Sequence, residues 1–164
     1  MAEPAVEAED GAPFTAYREP VRREWLDYNG HLNDASYALV FSAAHELVLE
    51  HLGLSAAYRE SHQASMFTVE THIRFLAECS DGQTLTASTI LVDADDKRLR
   101  LYSELYADGV LAATGESLYV HVDTTAGRSA VLPDDRRTRV EAMREAHAEQ
   151  PRPPHLGLGV GSRP

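Results

Sequence analysis

The stretch DYNGHLNDASYALVFSAAHELVLEHLG, residues 27–53, decides the fold, because a polar loop leads directly into an apolar pattern. Within it, residues at spacings of 4, 3 and 4 mark one face of a helix: Tyr37, Phe41, Ala44 and Val48. Apolar residues at Val40, Leu47 and Leu49 extend to other faces, so the pattern predicts a helix over Asp34–Leu52 that is buried on most sides. Asn33 or Asp34 is the candidate N-cap, and Gly53 ends the helix.

The remainder of the chain is dominated by strand-like runs. These are Phe14–Arg23, interrupted at Pro20 and therefore at an edge, and Ala64–Leu76, Thr84–Val92, Arg98–Ala107 and Val110–Asp123. The last four are joined by short linkers rich in turn formers, which predicts a meander of antiparallel hairpins. The segment LSAAYRES predicts a short turn of helix, and residues 134–149 a second long helix. This order predicts an α+β fold in which a curved antiparallel sheet wraps a long central helix.

Composition limits the domain organisation and the class of function. With 164 residues the chain suits one domain, predicted over residues 13–150, between a disordered N-terminal segment 1–12 and a Pro/Gly-rich tail 151–164 that is extended or mobile. A net charge of −11 argues against nucleic-acid binding, and no run is long enough to span a membrane. The acidic N-terminus does not resemble a signal peptide, so a cytoplasmic protein is expected. The single cysteine, Cys79, is interpreted as a small half-buried residue rather than a nucleophile.

The first long strand has two different faces. Residues Phe67, Val69, Thr71, Ile73 and Phe75 form an apolar face, which is expected to pack on the helix. The opposite face carries Glu70, His72 and Arg74 in a row. Such a row is explained either by a solvated ladder of ion pairs or by a site or subunit interface. The strand alone favours the solvated ladder.

The loop Asp27–Asp34 allows two interpretations. Asp, Asn and Gly are common in turns and caps, so the loop can simply start the helix. Free N–H groups at a helix start also stabilise an oxyanion, such as the one that develops on a thioester under attack. Asp27 would then act as nucleophile or as general base for water, and His31 would share the proton or orient the substrate.

The loop and its surroundings resemble hot-dog fold acyl-CoA thioesterases. Asp27, Gly30 and Tyr37 fit the frame of the 4-hydroxybenzoyl-CoA thioesterase branch, which implies that Asp27 is the nucleophile or base and that an N–H near Asp34 polarises the thioester carbonyl. The plant acyl-ACP thioesterases are similar in their Asp, Asn and His at alternate positions. Asp27, Asn29 and His31 match them, and ECSDGQTL (residues 78–85) resembles their Glu-Cys segment.

A narrower resemblance covers residues 17–158. The segments EWLDYNGHLND, VETHIRFLAE, DADDKRL, AATGESLYVHVD and QPRPP are together similar to the betainyl-CoA thioesterases associated with carnitine dehydrogenase. This resemblance implies a short-chain acyl-CoA substrate, with betainyl-CoA hydrolysed to betaine and CoA. It also implies a homodimer or homotetramer with active sites at subunit interfaces, where Glu70 can approach the loop of a partner. The alternatives are a hot-dog hydratase or dehydratase, and a non-catalytic acyl-CoA binding module.

Candidate residues follow from these interpretations. The candidate catalytic residues are Asp27, His31 and Glu70. Arginines would hold the CoA phosphates, and aromatic rings would hold a quaternary ammonium by cation–π contacts. The candidate substrate-binding residues are Trp25, Tyr28, Asn29, Asn33, Asp34, Tyr37, His72, Arg74 and Arg98, with Arg100 as a further phosphate candidate. No metal and no cofactor are implied, since CoA is part of the substrate.

Overall fold

In the computed structural model, which describes residues 11–159, helices lie against a curled antiparallel sheet. The helices are α1 (Asp34–His51), α2 (Ala56–His62) and α3 (Asp134–Ala148), with a 3-10 turn at Arg23–Trp25. The strands are β1 (Arg18–Pro20), β2 (Ala64–Phe75), β3 (Thr84–Ala94), β4 (Arg98–Ala107), β5 (Val110–Asp123) and β6 (Arg128–Ser129). No helix among the described residues has the length and apolar character that a membrane crossing requires. The predicted α+β class is confirmed.

The strand order is β1-β3-β4-β5-β2, with β6 beside β5, and every pairing is antiparallel. Strands β3, β4 and β5 form the predicted hairpins. The meander prediction is wrong for β2, which pairs with β5 instead of β3. The segment 76–83 therefore crosses from one side of the sheet to the other rather than making a tight turn. This crossing carries Glu78 and Cys79, and it leaves β2 at an open edge.

Helix α1 packs on the inner face of the sheet. Gly115 of β5 allows this approach, since a Cβ there would lie 2.9 Å from ring carbons of Phe41. The predicted apolar face is buried, as are Val40 and Leu49. Burial on most sides is wrong, because one side of the helix, including Leu39, faces outward.

A bulge in β2 changes which residues face the helix. The register with β5 shifts between Thr68 and Glu70, so the alternation of side chains changes there. Ala64 and Met66 are buried before the bulge, and Phe75 contacts Tyr37 of α1 after it. The prediction that Phe67 and Val69 pack on the helix is therefore wrong. Both side chains are about half exposed.

The two ends of the described chain are held against the domain. Met1–Asp10 of the predicted disordered segment lie outside the described residues, whereas the Gly11 and Ala12 carbonyls accept hydrogen bonds from Gln150 and His147. In the predicted tail, residues 154–157 form a turn instead of an extended or mobile segment, and Leu156 is buried.

Candidate active site

The loop Asp27–Asp34 is a tight turn fixed by its own backbone. The Asp27 N–H donates to the His31 carbonyl (2.8 Å), and the Gly30 N–H donates to the Asp27 carbonyl (3.1 Å). Gly30 has φ +80° and open space around it, so this position needs glycine for its backbone conformation rather than for room. The turn places the Asp27 carboxylate beside the start of α1.

The Asp27 carboxylate is held by neighbouring N–H groups. Its Oδ1 accepts hydrogen bonds from the backbone N–H groups of Asn29 (2.7 Å) and His31 (3.2 Å). The Asn29 side-chain amide lies 3.5 Å from Oδ2. Although desolvation alone would raise the pKa of Asp27, these hydrogen bonds outweigh it and hold that pKa below its ordinary value. Asp27 is therefore a carboxylate at neutral pH.

The start of α1 offers an oxyanion donor beside this carboxylate. Asn33 is the N-cap, and its Oδ1 accepts from the Ala35 N–H (3.0 Å). The Ser36 N–H donates to the Asn33 carbonyl (2.9 Å). The Asp34 N–H has no acceptor among residues 11–159. This N–H is therefore a donor of the first helical turn that a substrate oxygen can accept, and the helix dipole favours negative charge at this position.

The crossing segment 76–83 supplies a carboxylate that sequence reasoning did not select. His31 forms an antiparallel bridge with Ser80, and the Leu32 N–H donates to the Cys79 carbonyl (2.7 Å). This pairing brings Glu78 Oε2 to 3.4 Å from His31 Nε2. The only signal in the sequence was the ECSDGQTL segment, which contains Glu78.

These groups line one cavity of about 370 Å³. Its lining residues are Asp27, His31, Leu32, Asp34, Tyr37, Phe75, Leu76, Ala77 and Glu78. Of the residues predicted for the site, Asp27, His31, Asp34 and Tyr37 are thus brought together. The rings of Tyr37 and Phe75 meet edge to face at 5.0 Å and form the apolar wall.

Tyr37 is part of that wall, and its hydroxyl packs against Cys79, which lies outside the lining. The Tyr37 hydroxyl donates to the Ala77 carbonyl (3.3 Å) and lies 3.4 Å from Cys79 Sγ. Burial raises the pKa of both the Tyr37 hydroxyl and the Cys79 thiol, so both stay protonated at neutral pH. The prediction that Cys79 is half-buried is wrong, because its side chain is fully buried. A buried neutral thiol is a poor nucleophile, in line with the interpretation that Cys79 has no such role.

The predicted aromatic cage is not assembled around this cavity. The Tyr28 side chain is 96% exposed. Trp25 is outside the lining, and the Arg22 guanidinium lies 4.7 Å from its ring centroid. Tyr37 alone of the three rings lines the cavity, and Phe75 takes the place of the others.

The polar row of β2 faces away from this cavity. Glu70 and His72 line a separate space of about 280 Å³ with Arg100 and Glu116. Arg98 lies at the β3–β4 turn, where it pairs with Asp95 (2.6 Å). The single chain therefore does not bring Glu70, His72, Arg74 or Arg98 to the Asp27 loop.

Comparisons with known proteins agree with this arrangement. The model of the thioesterase-like superfamily matches residues 21–145. A betainyl-CoA thioesterase of Pseudomonas aeruginosa is 40% identical over 153 residues, covering 92% of this chain and 96% of that protein. An L-carnitine dehydrogenase/betainyl-CoA thioesterase of Agrobacterium fabrum is 42% identical over 149 residues, covering 90% of this chain but only 30% of that longer protein.

Two solved structures share this fold over nearly the whole chain. A hypothetical protein of Staphylococcus aureus in complex with CoA superposes with a TM-score of 0.86 at 30% identity, over 95% of this chain and 99% of that one. A putative thioesterase of Pseudomonas putida has a TM-score of 0.78 at 30% identity, over 93% of this chain and 98% of that one.

Proposed function

Since the chain belongs to the thioesterase-like superfamily and has the hot-dog fold, we propose that it hydrolyses betainyl-CoA to betaine and free CoA. The predicted thioester hydrolase activity is confirmed by the family and its relatives, and the acyl group is the part proposed here. One observation carries the proposal: a free helix N–H, an ionised Asp27 and the His31–Glu78 pair line the same cavity.

The reaction uses these groups in a simple order. The thioester carbonyl oxygen accepts the Asp34 N–H, which stabilises the negative charge that develops there. The Asp27 carboxylate attacks the carbonyl carbon, or takes the proton from a water that does so. The C–S bond breaks, and His31, paired with Glu78, supplies the proton to the leaving sulfur. If Asp27 attacks, this step leaves a mixed anhydride between its carboxyl group and the betainyl group, and water then hydrolyses it to betaine and the free Asp27 carboxylate. If Asp27 acts as the base, the attacking water itself becomes the second carboxylate oxygen of betaine.

The charge of the cavity favours a cationic acyl group. Its lining includes the carboxylates Asp27, Asp34 and Glu78, and none of its described lining residues is Lys or Arg. A quaternary ammonium carries no N–H, so it is recognised by carboxylate charge and aromatic faces rather than by hydrogen bonds. Phe75 and Tyr37 provide those faces, in place of Trp25 and Tyr28.

Substitution of Asp27 tests the catalytic assignment. Asp27→Asn should lower kcat about 100-fold or more, because the amide neither attacks nor accepts the proton. Release of free thiol from betainyl-CoA measures this loss. Asp96→Asn, at the exposed β3–β4 turn, is the matched control and should keep wild-type turnover. If Asp27→Asn retained turnover, Asp27 would only be part of the turn.

A neutral isostere tests the acyl group. In 3,3-dimethylbutanoyl-CoA a carbon replaces the nitrogen of betainyl-CoA, so the two esters have nearly the same shape and differ in charge. Betainyl-CoA should have the higher kcat/KM. Phe75→Leu should reduce that preference about 2- to 30-fold, the range of one cation–π contact, whereas Tyr28→Leu should not change it. Equal kcat/KM for the two esters would contradict the betainyl proposal and leave thioester hydrolysis intact.

We also propose a homo-oligomer formed through β2, either a dimer or a dimer of dimers. Strand β2 is an edge strand of 12 residues, with Phe67 and Val69 about half exposed beside the open edge. An exposed apolar edge strand of this length has unpaired backbone N–H and C=O groups that can pair with the same strand of a second copy. That pairing would bring Glu70 towards the partner's Asp27 loop, as predicted from the sequence.

Light scattering at micromolar concentration tests the assembly. Val69→Asp should shift the protein towards monomer, whereas Val110→Asp, equally exposed on the β4–β5 hairpin, should not. A wild-type monomer would contradict the proposal. The cytoplasmic location expected from the sequence stays a prediction.

A further inference from the structure

The last described segment, residues 151–159, folds onto the outer face of the sheet. Gly115 faces α1, so the next residue of β5, Glu116, points to the opposite face. The Gly157 N–H donates to Glu116 Oε2 (2.8 Å), and an Arg74 N–H contacts the Gly159 carbonyl (3.5 Å). The segment is thereby fastened to both β5 and β2.

Two arginines approach each other where this segment crosses the sheet, and a third contacts the same segment at Gly159. A Cβ built at Gly157 would lie 3.5 Å from an Arg152 Nη and 3.6 Å from an Arg100 Nη, so those two nitrogens are at most about 7 Å apart. Arg100 also pairs with Glu116. Arg74 is the third, and its Nε is buried without a hydrogen-bond partner among residues 11–159. We name Arg74, Arg100 and Arg152 the arginine cluster.

The arginine cluster is a local excess of positive charge on an acidic protein. The chain carries a net charge of −11, and the carboxylates beside the cluster are Glu116 and, farther along β2, Glu70. Guanidinium groups as close as those of Arg100 and Arg152 can bind phosphate oxygens with paired N–H donors. Gly157, with φ +74°, makes the turn that lets the segment pass close to two of them.

We propose that the C-terminal segment completes a phosphate site, in which Arg152 together with Arg74 and Arg100 holds the phosphates of the CoA portion of the substrate. The identity of this ligand rests on the proposed function. Arg74 immediately precedes Phe75, the last residue of β2, which lines the catalytic cavity. The two side chains point to opposite faces of the strand, so an extended substrate would pass around the end of β2 to reach both. Glu78 is four positions after Arg74, so their Cα atoms are at most about 14 Å apart, a span that an extended pantetheine arm bridges.

The test compares ligands with and without phosphates. Arg152→Ala should lower kcat/KM for betainyl-CoA about tenfold or more, through KM, since it removes a charged hydrogen bond. It should leave kcat/KM for betainyl-pantetheine, which has no phosphate, unchanged. Arg152→Lys should recover part of the loss. Arg144→Ala, on α3 and paired with Glu141, is the control and should affect neither ester.

Calorimetric binding of free CoA and pantetheine separates this inference from the proposed function, because it needs no turnover. Weaker CoA binding by Arg152→Ala, with pantetheine binding unchanged, supports the phosphate site even if betainyl-CoA proves not to be hydrolysed. Unchanged CoA binding, or an equal loss for CoA and pantetheine, would overturn it. Circular dichroism of each variant verifies that the fold is kept.

Discussion

The buried His45 should make the stability of the protein fall steeply in mild acid. His45 is 1% exposed in the middle of α1. Its Nδ1 lies 2.9 Å from the Tyr119 hydroxyl and its Nε2 2.9 Å from Ser103 Oγ, which is 2.7 Å from Thr89 Oγ1. A neutral imidazole satisfies both contacts, with one nitrogen donating and the other accepting. Burial lowers the pKa of His45 to about 4 from its ordinary 6.5.

The size of the effect follows from linkage. Because the pKa of His45 is lower in the folded chain, protonation favours the unfolded chain as the pH falls from 6.5 towards 4. The stabilisation is complete above pH 6.5 and is lost through that window at about 1.4 kcal/mol per unit. Between pH 7.5 and 5.0 the loss from His45 is therefore about 2 kcal/mol, and by pH 4 it approaches about 3 kcal/mol.

Urea unfolding followed by circular dichroism at pH 7.5 and 5.0 measures this loss. His45→Gln keeps an amide donor and acceptor but does not titrate, so its free energy of unfolding should fall about 2 kcal/mol less than that of the wild type between the two pH values. The comparison uses the difference between pH values, so any constant cost of the substitution cancels. His62→Gln, at an exposed position, should behave as the wild type. If wild type and His45→Gln had the same pH dependence, the reasoning would be refuted.

Three further outcomes test the packing and the site. Gly115→Ala should lower the free energy of unfolding by about 1–3 kcal/mol, because the new Cβ would meet the Phe41 ring. Adding Phe41→Leu to Gly115→Ala should recover part of the lost stability, as measured by thermal melts. Tyr37→Phe should cost about 1 kcal/mol of stability in urea, since the Ala77 carbonyl loses its donor; no change would mean that water replaces that donor. The loss of kcat/KM in acid that results from protonation of Asp27 should have its midpoint below pH 3.8, because hydrogen bonds lower the pKa of Asp27. A midpoint above that value, in a protein that is still folded, would contradict the catalytic role of Asp27.

Local patterns in the sequence predicted the helices and most of the strands, but they did not predict that β2 pairs with β5. The cap at Asn33, the buried face of α1 and the β3–β4–β5 hairpins each depend on residues close together in the chain. The crossing of 76–83 depends on contacts with the Asp27 loop, more than 40 residues away. The bulge at Val69 leaves no trace in the alternation of residue types, so the faces of β2 were only partly predicted.

The candidate site also contains residues that the sequence could predict and residues that depend on distant contacts. Asp27, His31 and the start of α1 lie in one short segment, so their meeting was predictable from the motif and from its resemblance to a family. Glu78 reaches His31 only because the crossing segment pairs with the loop. Trp25 and Tyr28 are close to Asp27 in sequence, yet the turn directs them away from the cavity, and Phe75 of β2 takes their place. Nearness in sequence thus brought the candidate reacting groups into one cavity, whereas most of the aromatic residues predicted to bind the substrate lie outside it.

Capping the helix and performing chemistry are compatible roles for the Asp27–Asp34 loop. A helix start has several N–H groups without helical partners, and one cap residue satisfies only some of them. Asn33 takes the Ala35 and Ser36 N–H groups through its side chain and its carbonyl, and thereby fixes the direction of the chain at Asp34. The Asp34 N–H remains available among the described residues, in the wall of the cavity that also holds Asp27. In the proposed mechanism the cap therefore orients the donor that binds the substrate oxygen, and the two roles together would explain the polar residues of this loop.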